Sequence, residues 1–552
     1  MNQPRNARLP GAERVSHLEG SSGASEVGED TRQPAGSQAW ARTDGDSPET
    51  WDAHDRPLGA SREVGQWRGT TEAEADAAGE SEGRIGAVKS GNAWQRTRRS
   101  KGGPCRDEQL GRNTRGALTP VSVSTKLQMV AERAKQAPEV QLRSLAHLID
   151  EEMLHEAFKR IRRHAAAGID GMTKDDYEQG LDTRIRTLHE RMKSGKYRHQ
   201  VIRRVHIPKA AGKTRPIGIS TVEDKVVQNA LTMVLTAVYE QEFLECSYGF
   251  RPGRGAHDAL RTLDRAAYRG GCNWVIEADI RSFFDSIDRK MLMGMLRERI
   301  CDESLLRLIG KCMHVGVLDG ESYSEPDEGT VQGSTLSPML GNIYLHHVLD
   351  LWVEREVKPR MRGPVCLIRY ADDFVLCLKR EDDARRVMEV LPKRMAKYGL
   401  ALHPDKTHLL PFARPLAGQQ SGKGPANFDF LGFTAYWRRS HRGTWVLGLK
   451  TCKARLAKAI LAIGEWCRRH RHQPVKRQHA ALSQRLRGHY NYFGVNGNAA
   501  SIARVEHHSR RLWLKWLQRR SQRSTLTWER FEKLLEALPL PRSTIHVRIW
   551  AR

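Results

Sequence analysis

The chain has no Cys-x-x-Cys pair: its nine cysteines are scattered over 552 residues. That argues against a disulfide scaffold and against a Cys-rich zinc module, and fits a reducing cytoplasm. It has no uninterrupted apolar run of about 18 residues, so no membrane span is expected. The best apolar segment, Val226 to Tyr239, carries Gln228 and Asn229 and reads as a buried helix. The start, Met1 to Val15, is polar and contains proline, unlike a signal peptide. There is no convincing Ser/His/Asp or Cys/His arrangement, which removes the usual protein nucleophiles. Acid is scarce at one end: residues 438–552 hold 26 Lys and Arg against five Glu and no Asp, a net of +21.

What is present is positive charge, +26 overall with a pI near 9.9, which points to a polyanion and most directly to nucleic acid. Residues 18–83 reverse the sign, with 15 acids against five Arg. Residues 1 to about 115 are rich in Gly, Ser, Glu and Arg with little periodicity, a signature of disorder, and an N-terminal extension is drawn through residue 121. Helical periodicity begins near Ser124 and runs through Leu127, Val130, Leu142, Leu145 and Met153 to Ile161.

The stretch Arg369-Tyr370-Ala371-Asp372-Asp373-Phe374 lies between the apolar runs Val365–Ile368 and Val375–Leu378. Two apolar runs around a tight polar centre predict a β-hairpin with two carboxylates at its tip. Carboxylates forced together repel by roughly 1 kcal/mol in water and more when shielded. A divalent cation between them offsets that cost, so the pair reads as a Mg²⁺ site. Asp175-Asp176 and Asp382-Asp383 serve as controls; both sit in charged, helix-like surroundings and read as solvated faces.

Trp274 to Ile280 alternates as a strand and delivers Asp279 at its end, where sheet enzymes place chemistry. Asp285 and Asp288, beyond it, are assigned to capping or solvent. The basic loop Lys209, Gly212, Lys213, Thr214, Arg215 lies between two strands and suits phosphates, although a solvated hairpin turn would read the same way. Ser247 to Arg254 reads as a phosphate-facing loop because of its glycines and arginines. Val331 to Pro338 is a turn feeding a helix from Met339 to Trp352. After Phe433 bases and aromatics interleave, and helical spacing predicts a helical domain whose aromatics are mainly core. Three carboxylates, Asp279, Asp372 and Asp373, can supply oxygen ligands to two cations about 3.5–4 Å apart, the arrangement for phosphoryl transfer to a polynucleotide.

Arg369-Tyr370-Ala371-Asp372-Asp373, together with Asp279-Ile280 and Phe283-Phe284-Asp285, resembles the reverse transcriptases. Further motifs resemble the group II intron-encoded proteins, which combine reverse transcriptase with RNA maturase. They are Gly168-Ile169-Asp170-Gly171, Thr214 to Ile219, Ser247 to Gly253, Gln332-Gly333 with Ser337-Pro338, Asn342 to Leu345, His403 to Thr407 and Phe430 to Phe433. The order runs from about residue 122 to 433, and Arg487 to Phe493 resembles the thumb and maturase region.

The resemblance implies an α+β right-hand polymerase: fingers and a palm with an antiparallel sheet over residues 122–435, and a helical thumb and maturase domain over 436–520. A short basic DNA-binding-like tail would occupy 521–552. It implies that Asp279, Asp372, Asp373 and the Ile280 carbonyl hold two Mg²⁺ ions. Phe284 would be the gate against a nucleotide 2′-hydroxyl, Arg215 a triphosphate contact, Gln332 a contact to nucleotide or template, and Lys406 a contact to pyrophosphate. Arg468, Arg469, Arg487, Tyr490, Lys515, Arg519 and Arg520 are the expected RNA contacts.

The implied partners are intron RNA, an RNA template, a DNA primer or target, dNTPs and a second copy of the chain as a homodimer. The implied location is a nucleoid-associated ribonucleoprotein in a bacterial cytoplasm. No cysteine follows Cys467, so the endonuclease module of many relatives is expected to be absent, and any target primer would come from elsewhere, such as a nascent replication strand. The rival readings are an RNA-binding splicing factor with little polymerase activity and a non-intron bacterial reverse transcriptase. Intact acids disfavour the first and the long basic region after Phe433 the second.

Overall fold

The two apolar runs around the Asp pair do not alternate in burial; they are buried almost throughout. That pattern requires a strand covered on both faces, and the computed structural model shows one. It describes residues 122–208, 214–320, 322–324, 329–330, 332–416, 426–521 and 526–550. The N-terminal extension through 121 and the loop residues Lys209, Gly212 and Lys213 lie outside the described residues.

Among the described residues eleven strands form three sheets: β1 Ile202–Pro208, β2 Thr214–Ile219, β3 Trp274–Asp279, β4 Val317–Asp319, β5 Ser322–Ser324, β6 Val365–Tyr370, β7 Asp373–Leu378, β8 His408–Pro411, β9 Phe428–Phe430, β10 Phe433–Arg439 and β11 Trp445–Thr451. The central sheet is antiparallel with order β6-β7-β3-β8. Ile276, Ala278, Leu367, Phe374 and Leu376 face a large helical core on one side. Val275, Ile368, Val375 and Cys377 face a second core on the other, shared with Phe412, Phe433, Leu447 and Ile549. A second sheet, β2-β1-β4-β5, takes two strands from before β3 and two from after it, and β11-β10-β9 form the third.

The helices start where the sequence supplies caps. Ser122 caps α1 (Val123–Gln136) and Asp150 caps α2 (Glu151–Lys159); α3 is Leu181–Lys193, and Thr221 caps α4 (Val222–Tyr239). Helix α4 is buried as expected, and its polar residues are satisfied: Gln228 Nε2 donates to Ser220 Oγ (3.1 Å) and Asn229 Nδ2 to the Ala157 carbonyl (3.1 Å). Next come α5 (Ala256–Tyr268), α6 (Arg289–Arg299), α7 (Glu303–Met313) and α8 (Ser337–Leu345). Helix α8 continues into two π-helical turns, His346–Asp350 and Val353–Val357. Helix α9 spans Glu381–Ala396.

The third sheet ends at Thr451, and among the described residues four helices follow: α10 (Lys453–Arg469), α11 (Val475–Phe493), α12 (Ala499–Gln518) and α13 (Trp528–Ala537). Their own core holds Trp466, Tyr490, Trp513 and Phe531. The C-terminal segment is docked rather than loose: Phe531 is fully buried, and Val547 bridges Val495. Among the described residues no helix is long and apolar enough to cross a membrane.

Candidate active site

The register of the central sheet places Asp279 of β3 directly opposite Asp373 of β7. Directly opposed residues of an antiparallel pair point to the same face, so two carboxylates separated by 94 positions of sequence converge. Asp372 sits beside them in the two-residue turn that joins β6 to β7. That turn holds Ala371 at φ +57°, a left-handed conformation that costs a non-glycine residue energy and persists only under outside restraint.

The restraint is Arg369, fully buried. Its Nε and Nη2 donate to the two carboxylate oxygens of Asp350 (2.7 and 2.6 Å). Its Nη1 donates to Asn342 Oδ1 (3.0 Å) and to the Ala371 carbonyl in the turn (3.2 Å), and Nη2 also donates to Ser247 Oγ (2.8 Å). The π-helical turn brings Asp350 to this position. The backbone of the 247–253 loop completes the clamp, with the Tyr248 amide donating to the Arg369 carbonyl (2.9 Å) and the Arg369 amide to the Cys246 carbonyl (2.8 Å). A Cβ on Gly249 would lie 2.4 Å from the Ala371 nitrogen, so only glycine lets the loop approach the turn this closely.

Two readings of the sequence are corrected by this packing. The 247–254 loop does not present its arginines to phosphate. Arg251 is buried, paired with Glu240 (3.0 Å) and bonded to the Leu244 and Ser247 carbonyls, and Arg254 pairs with Glu245 (2.6 Å). The loop buttresses the hairpin, and both guanidinium groups are taken up by partners within the protein. Asp383 likewise leaves the solvated class: it is buried and accepts from the Arg362 and Gly363 amides, both at 3.0 Å. Asp382, exposed and paired with Arg380 (2.9 Å), is the solvated member. Asp176 closes a capping box with Thr173, and Asp288 caps α6, as local roles demand.

Asp373 keeps solvent contact at the tip, so the acid pair is less enclosed than its apolar flanks imply. Even so, crowding by protein and then the charges of Asp372 and Asp279 push its pKa up to about 7, and the Asp279 carboxyl is within hydrogen-bonding reach. Asp372 shifts upward too, first through burial and then through Asp279, while Arg215 and Lys406 pull it back down. Lys406 Nζ pairs with Asp279, not with its neighbour Asp405. The segment carrying it is tied to the end of β3: the His403 amide donates to the Asp279 carbonyl (2.8 Å) and the Arg281 amide to the Ala401 carbonyl (2.8 Å). Strand carbonyls alternate in direction, so the Ile280 carbonyl points the other way, toward the β7 side where pairing ends at Asp373.

This donor set fits a hard divalent cation. Among the described residues no three carboxylate, imidazole or thiol groups form a ready-made cage. Mg²⁺ is ordinarily held by one or two carboxylates with water and substrate phosphate completing its shell. The upward shifts of Asp372 and Asp373 mark a concentration of negative charge that such an ion neutralises.

Arg215, on β2, is close enough for its charge to act on Asp372. Gln332 is brought beside the same strand, its carbonyl accepting from the Gly218 amide (2.7 Å). The following Gly333 has φ +112°, and a Cβ there would meet the Gly218 oxygen at 2.4 Å. Phe284 follows β3 in a one-turn 3₁₀ helix, half-buried over Gly341 of α8, where a Cβ would meet the Phe283 and Phe284 rings at 2.9 and 3.3 Å.

Residues 207–435 match the reverse transcriptase (RNA-dependent DNA polymerase) family. The chain is 34% identical over 329 residues to protein YkfC of Escherichia coli K12, covering 52% of this chain and 84% of that one. The chain belongs to the reverse transcriptase family. It is also 33% identical over 267 residues to the group II intron-encoded protein LtrA of Lactococcus lactis subsp. cremoris, covering 46% of this chain and 44% of LtrA. A 91 kDa protein in the cob intron of Schizosaccharomyces pombe is 31% identical over 302 residues, 53% of this chain and 37% of that one. The chain thus spans most of YkfC but under half of the other two relatives.

Reverse transcriptases use divalent metals, and the acids of this family member gather as described. The residues expected to touch RNA divide. Arg468 and Arg469 are exposed at the end of α10 beside Glu465, Arg487 is exposed on α11, and Lys515 and Arg519 are exposed near the Trp516 ring, 5.8 and 5.5 Å from its centroid. Arg520 is half-buried. Tyr490 is corrected: it is 1% exposed, packed in the helical core, and cannot reach RNA there. Aromatic spacing on a helix signalled that core position. The Arg369–Asp350–Asn342 clamp left no sequence signal, because its members are brought together only by the fold.

Proposed function

We propose that this protein is the RNA-directed DNA polymerase of a group II intron, which also binds the intron RNA as a splicing maturase and supports intron mobility. The observation that carries the reading is the juxtaposition of Asp279 and Asp373 beside Asp372, with Arg215 and Lys406 near enough for their charges to act on Asp372. The printed descriptions of LtrA and the cob-intron protein support the intron context.

Asp279, Asp372, Asp373 and the Ile280 carbonyl would hold two Mg²⁺ ions. Bound there, the ions would lower the pKa of a primer 3′-hydroxyl and neutralise charge on the departing pyrophosphate. Arg215 would bind the triphosphate of a dNTP, and Gln332 would contact the nucleotide or the template beside it. The Phe284 ring would exclude a ribose 2′-hydroxyl by steric clash. Lys406, seated on Asp279, would donate to pyrophosphate oxygens. The exposed bases of α10 to α12 would bind phosphates of intron RNA as compact, oriented cations.

Extension of a DNA primer on an RNA template with Mg²⁺ tests the reading. Asp372→Ala is expected to lose at least a hundredfold in rate, the scale of removing a charge-stabilising group from a catalytic centre. Equal activity of variant and wild type would remove the metal assignment. Inactivity of both, with intron RNA still spliced in the protein's presence, would favour the RNA-binding splicing factor.

A further inference from the structure

A cavity of about 410 Å³ opens between α5, β11 and the C-terminal segment. Its rim carries Arg261, Arg265 and Arg269, spaced four apart along one face of α5 and its C-cap. Arg265 and Arg269 are exposed. Arg261 is held in place, with Nε donating to the Arg548 carbonyl (3.2 Å) and Nη1 to Asp258 Oδ1 (2.5 Å). Arg265 Nη2 donates to Thr262 Oγ1 (2.9 Å). Asp264 is the one carboxylate in the lining.

The floor is apolar, made by buried Val446 and Ile549, and the half-buried rings of Tyr268 and Trp550 stand in it. Each ring carries a further guanidinium: Arg414 lies 4.4 Å from the Tyr268 centroid and Arg438 lies 5.7 Å from that of Trp550. A solvated basic face does not require two partly open rings, and an apolar core does not require five guanidinium groups around it. Arginine for phosphate and aromatic faces for bases is the combination that binds single-stranded nucleic acid. A cavity of this size holds a ligand of nucleotide dimensions.

The location is separate from the acid cluster. Arg269 and the following residues lead into Trp274 at the start of β3, and Asp279 is at its other end, roughly 17 Å away along an extended strand. We propose that this cavity is a second nucleic-acid site, which takes one nucleotide of a single strand with its base against Tyr268 or Trp550 and its phosphate on Arg265 and Arg269. The inference rests on this geometry and not on the polymerase reading.

The test uses full-length protein whose cleft is saturated with a template–primer hybrid. The probes are a 5-iodouridine-substituted 20-mer RNA, the matching DNA and free UMP. Ultraviolet crosslinks to Tyr268 or Trp550 are expected with a 20-mer. Arg265→Gln/Arg269→Gln is expected to weaken 20-mer binding at least fivefold and to flatten its log–log salt slope by about 1.4, for two lost phosphate contacts. Trp550→Ala is expected to weaken binding with the slope unchanged. Primer extension should survive in all three variant positions, which separates failure here from failure of the polymerase reading. The RNA and DNA arms decide the source of the strand. The proposal is overturned if both variants bind as wild type, if crosslinks fall only in the cleft, if UMP binds as tightly as a 20-mer, or if the arginine variant loses extension.

Discussion

A carboxyl held against two others gives up its proton late. Asp373 moves from an ordinary value of 3.8 to about 7, so the folded protein holds that proton more tightly than the unfolded chain. Ionising it therefore costs stability, by an amount that grows as pH rises past about 4 and is complete above about 7. Asp373→Asn in metal-free protein is expected to raise Tm at pH 8 and to leave it nearly unchanged at pH 4. Equal Tm shifts at both pH values would rule out the coupling. Protons and cations compete for the same oxygens. At limiting Mg²⁺, extension should fall as pH drops below about 7 and recover with added Mg²⁺; no recovery would show that another group sets the profile. For the gate, Phe284→Ala should reduce the preference for dNTP over rNTP, measured as a ratio of kcat/KM, on the order of tenfold to a hundredfold. An unchanged ratio would move the gate elsewhere.

At the scale of the element, the β6–β7 hairpin works because it is clamped from outside itself. Arg369 and Asp350 are both fully buried, so breaking the pair leaves an uncompensated charge. Arg369→Met is expected to destabilise by about 3–5 kcal/mol, and Arg369→Met/Asp350→Leu to recover much of that loss. Chemical denaturation of both variants measures it, and a double variant as weak as the single one would place the cost in the Asn342 and Ser247 bonds instead. Gly249→Ala should push the turn away from the loop, because the added methyl would lie 2.4 Å from the Ala371 nitrogen. The expected result is a lower kcat with template–primer affinity retained, which single-turnover extension and a binding titration resolve.

At the scale of the whole molecule, charge is segregated. The acid cluster is surrounded by a few compensating bases, whereas α10 to α12 and the residues after them carry most of the excess. RNA affinity should therefore fall steeply and linearly on a log–log plot against salt, since each neutralised phosphate releases counterions. A shallow slope would mean that the exposed bases Arg468, Arg469, Arg487, Lys515 and Arg519 make few phosphate contacts. The aromatics interleaved with them are mostly structural: Trp466 and Trp513 are buried, and Trp513 Nε1 donates to Gln478 Oε1 (3.1 Å).

The sequence by itself determined the hairpin, its acid tip and the strand ending at Asp279. Apolar runs, turn residues and an acid at a strand end are local signals, and each survives in the fold. The order of motifs and the basic C-terminal region were equally legible, because neither depends on packing. The register that sets Asp279 against Asp373, the pairing of Lys406 with Asp279 and the Arg369 clamp were decided by tertiary structure alone. Their partners lie 94, 127 and 19 residues apart, and no local periodicity encodes such distances. Burial also decided which polar residues face solvent. Arg251 and Asp383 look like surface charges in the sequence, yet inside the protein Arg251 pairs with Glu240 and backbone carbonyls, and Asp383 Oδ2 accepts from two backbone amides.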